Sequence, residues 1–336
     1  MGIKHLNIFL KDNCPEAISC ISIADLTGKK IAIDISIYLY KYIGEDNLIE
    51  NIYLMISMFR YYNIIPIFIF DGKPPAEKRD LLIQRRKDKI YAENEYNRLK
   101  KQLDSISINV NVNVNVNEDE LEKQEIISNM DSLKKRFIYV SKNQIEKVKE
   151  LITSYGVTYY DAPGEADELC AMLVIKKKVW GCMSEDMDLF AYGCPRVLRY
   201  FSLINRTVVV YTMKHILNKL DITQKEFRQI CILSGTDYNS NNKNECDLKK
   251  TIKLFKKYKK SKEMGDFYEW IYNKFPEHID DLDLLQNTYN MFDLSDNHIH
   301  LKNCDNISIV NRPIMKEKMY SILEEDGFVF GNYTCD

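Results

Sequence analysis

The chain has 336 residues, of which 45% are hydrophobic and 29% charged, and its 47 Lys and Arg against 49 Asp and Glu leave a formal net charge of −2. That length suits roughly two domains of ~150 residues, and the near-neutral balance excludes a chain that is basic throughout, so a polyanion would have to be met by a local patch. No run approaches the ~18 unbroken apolar residues of a membrane span, Met1-Gly2-Ile3-Lys4-His5-Leu6 contains no signal-type apolar stretch, and nine cysteines without a C-x-x-C pair suggest neither a disulfide framework nor a zinc knuckle, which reads as a reduced, intracellular protein.

Lys30 to Asp34 is a short apolar run closed by an acid, and Ile64 to Phe70 is a second, followed by Asp71-Gly72. Ala76 to Leu103 is dense in charge and helix formers without Gly or Pro, which predicts a long helix. Ile108 to Asn117 alternates Asn with apolar residues, nearly all Val, and is expected as a low-complexity loop insertion, disordered or a floppy hairpin, rather than a sheet strand. Glu118 to Tyr139 again predicts helix. Ser141-Lys142-Asn143-Gln144 is a capping box that opens a helix closing at Gly156. Val157 to Tyr160 predicts a third strand, Glu165 to Ile175 a helix, and Val179 to Met183 a fourth strand. Val197 to Phe201 and Thr207 to Tyr211 predict two more. Thr223-x-x-Glu226 caps a helix that runs into Gly235-Thr236-Asp237. Strands alternating with helices predict an α/β fold, a mainly parallel central sheet flanked by helices. After Asn239 the chain turns helical and basic: between Lys243 and Lys262 nine lysines oppose only Glu245 and Asp247.

The acids fall at element ends. Asp34 and Asp71 each close a strand, Asp186 and Asp188 follow another, Glu165 and Asp167 open a helix after Pro163-Gly164, and Asp237 lies in a turn. Groups at the carboxyl ends of parallel strands converge on one rim of the sheet. Seven carboxylates there repel one another unless cations or protons intervene. Oxygen-only donors select a hard ion, Mg²⁺ or Mn²⁺, and two such ions ~4 Å apart activate water against a phosphodiester. A single Asp after a strand is equally at home as a turn residue, and Glu165 is favoured by the helix dipole wherever it stands at an N-terminus. It is the joint pattern that points to chemistry, and on spacing alone both readings stay open.

At these positions the chain resembles the XPG/flap endonuclease family of structure-specific 5′ nucleases. Met1-Gly2-Ile3, Ile33-Asp34-Ile35-Ser36 with Tyr40, and Phe70-Asp71-Gly72-Lys73-Pro74-Pro75 match its N-terminal blocks. Asp161-Ala162-Pro163-Gly164-Glu165-Ala166-Asp167, Ser184-Glu185-Asp186-Met187-Asp188 and Leu233-Ser234-Gly235-Thr236-Asp237-Tyr238 match the internal block, in family order over residues 1 to about 240.

The resemblance implies a PIN-like 5′ nuclease core with a helical arch and a C-terminal helical DNA-binding region. It implies an N-terminal nuclease block with the start of the arch (1–102), an insertion (103–118), an internal nuclease block (119–240) and a Lys-rich duplex-binding region (241–336). It assigns Asp34, Asp71, Glu165 and Asp167 to one Mg²⁺ and Asp186, Asp188 and Asp237 to a second, with Mn²⁺ as a substitute. The family usually has Glu where this chain has Asp167, so this shorter arm is expected to act through water. Lys78 and Arg85 match the basic arch residues and are expected to be catalytic, two turns apart on one helical face. Tyr40, Glu165, Gly235 and Asp237 are expected near DNA, with Tyr40 stacking on a base, and Lys249, Lys250 and Lys253 on the duplex. Asn241 to Asp247 lacks the family's Gly-x-Gly turn, which does not support its K⁺ site. Phe328-Val329-Phe330 is read as core, not as a sliding-clamp motif. The implied activity is Mg²⁺-dependent endonucleolytic cleavage of flapped or branched DNA by a nuclear monomer without a membrane partner, leaving 5′-phosphate ends. The rivals are a 5′→3′ exonuclease, a junction resolvase, or a non-catalytic DNA-binding relative, the last disfavoured because all seven acidic positions are filled.

Overall fold

The structure, a computed structural model, describes residues 2–109, 116–239, 247–261, 265–279, 281–294 and 306–330. Strands β1 (Ile18–Ser22), β2 (Lys30–Asp34), β3 (Ile65–Phe70), β4 (Thr158–Asp161), β5 (Gly181–Met183), β6 (Arg196–Ser202) and β7 (Thr207–Thr212) form one sheet in the order β1-β7-β6-β5-β2-β3-β4. From β6 to β4 every neighbour is parallel, while β7 pairs antiparallel with both β6 and β1. The predicted mainly parallel sheet is therefore present, with strand ends shifted by a residue or two. β1 was not anticipated. Its sequence, Ile-Ser-Cys-Ile-Ser, has no clear alternation, and none of its residues is fully buried. It forms because it closes the edge of β7.

Helices α1 (Leu6–Asn13), α2 (Ile35–Gly44), α3 (Leu48–Tyr61), α4 (Arg79–Asn109), α5 (Val116–Lys134), α6 (Lys142–Ser154) and α7 (Ala166–Ile175) occupy the first half of the chain. Helices α8 (Asp188–Tyr192), α9 (Met213–Leu220), α10 (Gln224–Leu233), α11 (Leu248–Ser261), α12 (Phe267–Lys274), α13 (Leu282–Phe292) and α14 (Lys316–Glu325) follow. Because side chains alternate along a strand, the central strands feed two cores. Ala32, Ile67, Ile69 and Cys182 face one that includes α1, α7, α8, α10 and the helices from α11 to α13. Ile31, Ile33, Phe68, Phe70 and Met183 face the other, closed by α2, α3, α6 and α14. Burying each such Ile or Phe removes roughly 1.5–3 kcal/mol of apolar exposure, which fixes the strand register and so the level at which the acidic strand ends emerge.

Both predicted capping boxes are formed. The Ser141 hydroxyl accepts from the Gln144 N–H at 3.2 Å while Gln144 Oε1 accepts from the Ser141 N–H at 2.9 Å, and Thr223 and Glu226 do the same. Gly156 follows α6 with φ +70°, the left-handed geometry that ends a helix.

Described helix reaches into the expected Val-Asn insertion from both sides. α4 continues to Asn109 and α5 begins at Val116, so both ends of the expected insertion are helical, and residues 110–115 lie outside the described residues. Asn and Val cost only about 0.7 kcal/mol each in a helix, and extending a helix that already exists avoids the nucleation penalty. α5 in turn stops at Lys134 rather than at Tyr139. Phe137 folds back on the Tyr96 ring at 5.4 Å, and the Ile138 carbonyl accepts from Lys89 Nζ at 2.9 Å. Phe328 and Phe330 pack against the second core as expected, but Val329 between them is 93% exposed. No helix among the described residues is long and apolar enough to cross a membrane. The six described cysteines are free, with Cys20 alone exposed.

Candidate active site

Adjacent strand ends place the first acids. Asp34 closes β2 and caps α2, its Oδ1 accepting from the Ser36 N–H at 3.1 Å. Its Oδ2 accepts from the Ser184 hydroxyl at 2.9 Å, and Ser184 directly follows β5, the neighbour of β2. Ser184 Oγ also accepts from the Asp186 N–H at 3.2 Å, while the Ser36 hydroxyl donates to Asp71 Oδ2. Asp71 Oδ1 accepts the Ala166 N–H at 2.8 Å, the first backbone donor of α7. Gly72 is required beside it. A Cβ there would overlap the Ala162 carbonyl, and the Gly72 N–H donates to the Gly164 carbonyl at 2.7 Å. That close approach fastens the Pro163-Gly164-Glu165 turn to the end of β3.

Glu165 is the N-cap residue of α7 and Asp167 lies in its first turn. Lys78 Nζ donates to both Glu165 oxygens, at 2.7 and 2.8 Å, and the Tyr238 hydroxyl donates to Glu165 Oε2. Lys78 ends a short 3₁₀ turn, Ala76–Lys78, that leads into α4. One face of α4 then brings Arg85 Nη2 to Asp237 Oδ2 at 2.7 Å. Asp237 lies in a turn after α10 that Asn239 locks, its Oδ1 accepting from the Thr236 N–H at 2.6 Å and its Nδ2 donating to the Ile232 carbonyl at 2.7 Å. Asp186 Oδ1 accepts from the Asp188 N–H at 3.0 Å. Gly2, at φ +71°, packs so closely on this pair that a Cβ would overlap Asp186 Oδ1. α1 is held in that place by Asn7, whose Oδ1 accepts from Arg199 Nη1 at 2.8 Å and from the Tyr211 hydroxyl at 2.9 Å.

All seven predicted acids thus share one rim, and their charges act on one another. Burial, then Asp71 and Asp186, push the Asp34 carboxyl up to about 7. Burial, followed by Asp186 and Glu165, holds Asp167 well above the carboxylate range, and burial, followed by Asp186 and Asp237, does so for Asp188. Burial by itself would lower the Lys78 ammonium, but Asp167 and Glu165 outweigh it and hold Lys78 above the ordinary lysine range. Asp188 is 1% exposed, and neither of its carboxylate oxygens has a hydrogen-bond partner. Unpartnered carboxyl oxygens inside a set of oxygen donors fit a hard divalent cation, which would take the place of the proton that burial favours. As placed, no three His, Cys, Asp or Glu side chains among the described residues stand close enough together to grip one ion. Lys78 and Arg85 take up Glu165 and Asp237 instead.

A pH dependence follows from these shifts. Unfolded, Asp34 ionises near pH 4, whereas folded it keeps its proton up to about pH 7. Between those values the folded state binds more protons, so stability falls as pH rises. In EDTA the protein is expected to lose on the order of a few kcal/mol between pH 4 and pH 7.5, and Mg²⁺ is expected to raise Tm more at pH 7.5 than at pH 5. Thermal melts over that range check it; a flat profile in EDTA would show that these acids are not strained by one another.

The other residues expected to meet DNA lie on α2, in the turn after α10 and on α11. Tyr40 is 44% exposed on α2, with Lys89 Nζ 4.8 Å from its ring centroid. Gly235 has φ +97° and open space where a Cβ would stand. Lys249, Lys250 and Lys253 are exposed on α11, which packs against α10, the helix leading to Asp237. The stretch read as lacking the Gly-x-Gly turn falls, up to residue 246, outside the described residues. Ser36, Ser184 and Tyr238 lie within the matched motifs, but the sequence assigns them no role. Their one signal in the sequence is a place one or two residues from an acid.

A mainly parallel sheet with strand-end carboxylates on one rim, met by one cation at the foot of a long helix and, against the expectation of one shared helical face, only the second on that helix, is a PIN-like nuclease fold. The XPG N-terminal domain matches residues 1–92 and the XPG I-region matches residues 156–237. A probable RAD2-like endonuclease, 369L, of Invertebrate iridescent virus 6 is 30% identical over 282 residues, covering 72% of this chain and 68% of the viral protein. Flap endonuclease 1 of Lodderomyces elongisporus is 31% identical over 285 residues, covering 79% of this chain and 66% of its own. The catalytic core of Rad2 in complex with DNA substrate superposes with a TM-score of 0.63 at 20% identity, covering 96% of this chain and 95% of that one. The chain belongs to the XPG/flap endonuclease family of structure-specific nucleases.

Proposed function

We propose that the protein is a Mg²⁺-dependent 5′ endonuclease that cuts flapped or branched DNA and leaves 5′-phosphate and 3′-hydroxyl ends. The observation that supports this most directly is the gathering of seven carboxylates with Lys78 and Arg85 on one rim of the sheet. Asp34, Asp71, Glu165 and Asp167 would hold one ion and Asp186, Asp188 and Asp237 the other, Asp167 through water. When bound, the ions supply a water nucleophile of lowered pKa and neutralise charge on the phosphate. The chain's own residues do the rest. Lys78 and Arg85 are positioned to meet the non-bridging oxygens of the reacting phosphate, where negative charge grows. Tyr40 offers a ring for stacking on an unpaired base. Gly235 admits a DNA phosphate to the backbone, and Lys249, Lys250 and Lys253 hold phosphates of the unbroken duplex. The Lys256-Lys257-Tyr258-Lys259-Lys260 run adds to that basic surface and also suits nuclear import.

End-labelled 5′-flap, nicked duplex and four-way junction substrates test the proposal. The flap is expected to be cut near its base with Mg²⁺ or Mn²⁺ and not in EDTA. Preference for the nick would favour an exonuclease and preference for the junction a resolvase. Cleavage of none of them, with either ion, would overturn the reading.

A further inference from the structure

We propose that Tyr238 is a positioning residue that seats Lys78 and Glu165 together as one preset unit. Two contacts carry this. The Tyr238 hydroxyl donates to Glu165 Oε2, and the Lys78 ammonium lies 4.7 Å from the centroid of the Tyr238 ring while bonding to both Glu165 oxygens. One side chain therefore holds the anion by its edge and the cation by its face. The ring quadrupole attracts an ammonium most strongly where water is excluded, and here Lys78 is 6% and Tyr238 8% exposed.

Tyr238 is itself immobilised. Its N–H donates to Thr236 Oγ1 at 3.2 Å, and its ring meets Phe292 of α13 edge-on at 5.4 Å. Phe292 packs in turn against Tyr192 of α8, the rings 4.7 Å apart and tilted by 42°. The seat is thus braced by α13, which follows the nuclease core, and by α8 within that core, so the Lys78 ammonium is held at the rim before substrate arrives. A long lysine side chain left free would have to be ordered at the moment of reaction, at an entropic cost that a preformed seat removes.

The inference rests on the nuclease reading for its kinetic test but has a second readout that does not. Tyr238→Leu removes ring and hydroxyl; Tyr238→Phe keeps the ring. In single-turnover cleavage at saturating flap DNA, Tyr238→Leu is expected to lower the rate by roughly 10- to 100-fold with DNA affinity in Ca²⁺ unchanged, and Tyr238→Phe to lose much less. In the Lys78→Ala background Tyr238→Leu should slow cleavage no more than Tyr238→Phe does, because the ring then has no ammonium left to hold and both changes remove the same hydroxyl bond to Glu165. A greater loss for Tyr238→Leu than for Tyr238→Phe in that background, or a wild-type rate for Tyr238→Leu alone, would overturn the proposal. Independently of activity, NMR of isotopically labelled lysine, with the Lys78 signal assigned by Lys78→Arg, should show its ε protons shifted upfield by the ring. That shift should persist in Tyr238→Phe and vanish in Tyr238→Leu. If wild type cuts no DNA, the nuclease reading fails while this signal still decides the seat: no upfield shift in wild type overturns it.

Discussion

Asp186→Ala is expected to lose at least three orders of magnitude in single-turnover cleavage of a 5′ flap while keeping its fold and its affinity for DNA, a loss on the scale of removing a principal charge-stabilising group. The structural cost is small. Asp186 Oδ1 accepts one hydrogen bond, from the Asp188 N–H, worth about 1 kcal/mol net. Against this stands a relief of repulsion, since the Asp186 charge is among the causes that raise Asp34, Asp167 and Asp188. The metal-free variant should therefore melt no lower than wild type at pH 7.5, and its Tm should respond less to Mg²⁺. This combination, an inactive protein that is not destabilised, separates a side chain offered to a cation from one offered to the core. Turnover close to wild type in the purified variant would remove Asp186 from the chemistry.

The sheet was legible because its central strands are short apolar runs closed or soon followed by acids, a pattern that suits strands buried on both faces with their carboxyl ends open to one rim. The same runs located Asp34, Asp71, Asp186 and Asp188 at one level. Capping boxes at Ser141 and Thr223 were legible because both partners lie within one helical turn of each other. What escaped depends on partners distant in sequence or on weak local pattern. β1 is a strand only because β7 is there to pair with it. Lys78 reads locally as a solvated helical charge, and only folding brings it to Glu165, 87 positions away. Tyr238, Ser36 and Ser184 are single polar groups without periodicity; their roles are set by a hydroxyl meeting a carboxylate across the rim. At the Val-Asn repeat, composition left the limits of the flanking helices open: α4 reaches Asn109 and α5 starts at Val116, and residues 110–115 lie outside the described residues.

The two basic regions should separate by kinetics. Lys249, Lys250 and Lys253 are exposed on α11 and take no part in the ion pairs at the acidic rim. Contacts from such residues to duplex phosphates act equally before and during the reaction. Replacing all three by alanine is expected to weaken binding and to flatten the dependence of log affinity on log salt by roughly 0.9 per lost phosphate contact. The saturated single-turnover rate should stay nearly the same. Lys78 and Arg85 meet the rim itself, through Glu165 and Asp237, and in the reaction they would face oxygens whose charge grows. Lys78→Ala and Arg85→Ala are each expected to lower the saturated rate by ~10² or more, with affinity measured in Ca²⁺ little changed. The Lys78 variant needs a check on its fold, because removing a buried cation leaves Glu165 and Asp167 with less compensation; melts in Mg²⁺ supply it, and Arg85, whose side chain is 41% exposed, provides the cleaner case. If the α11 triple variant and the arch variants lose rate and affinity in the same proportion, the two groups do one job, and the assignment of Lys78 and Arg85 to the reacting phosphate fails.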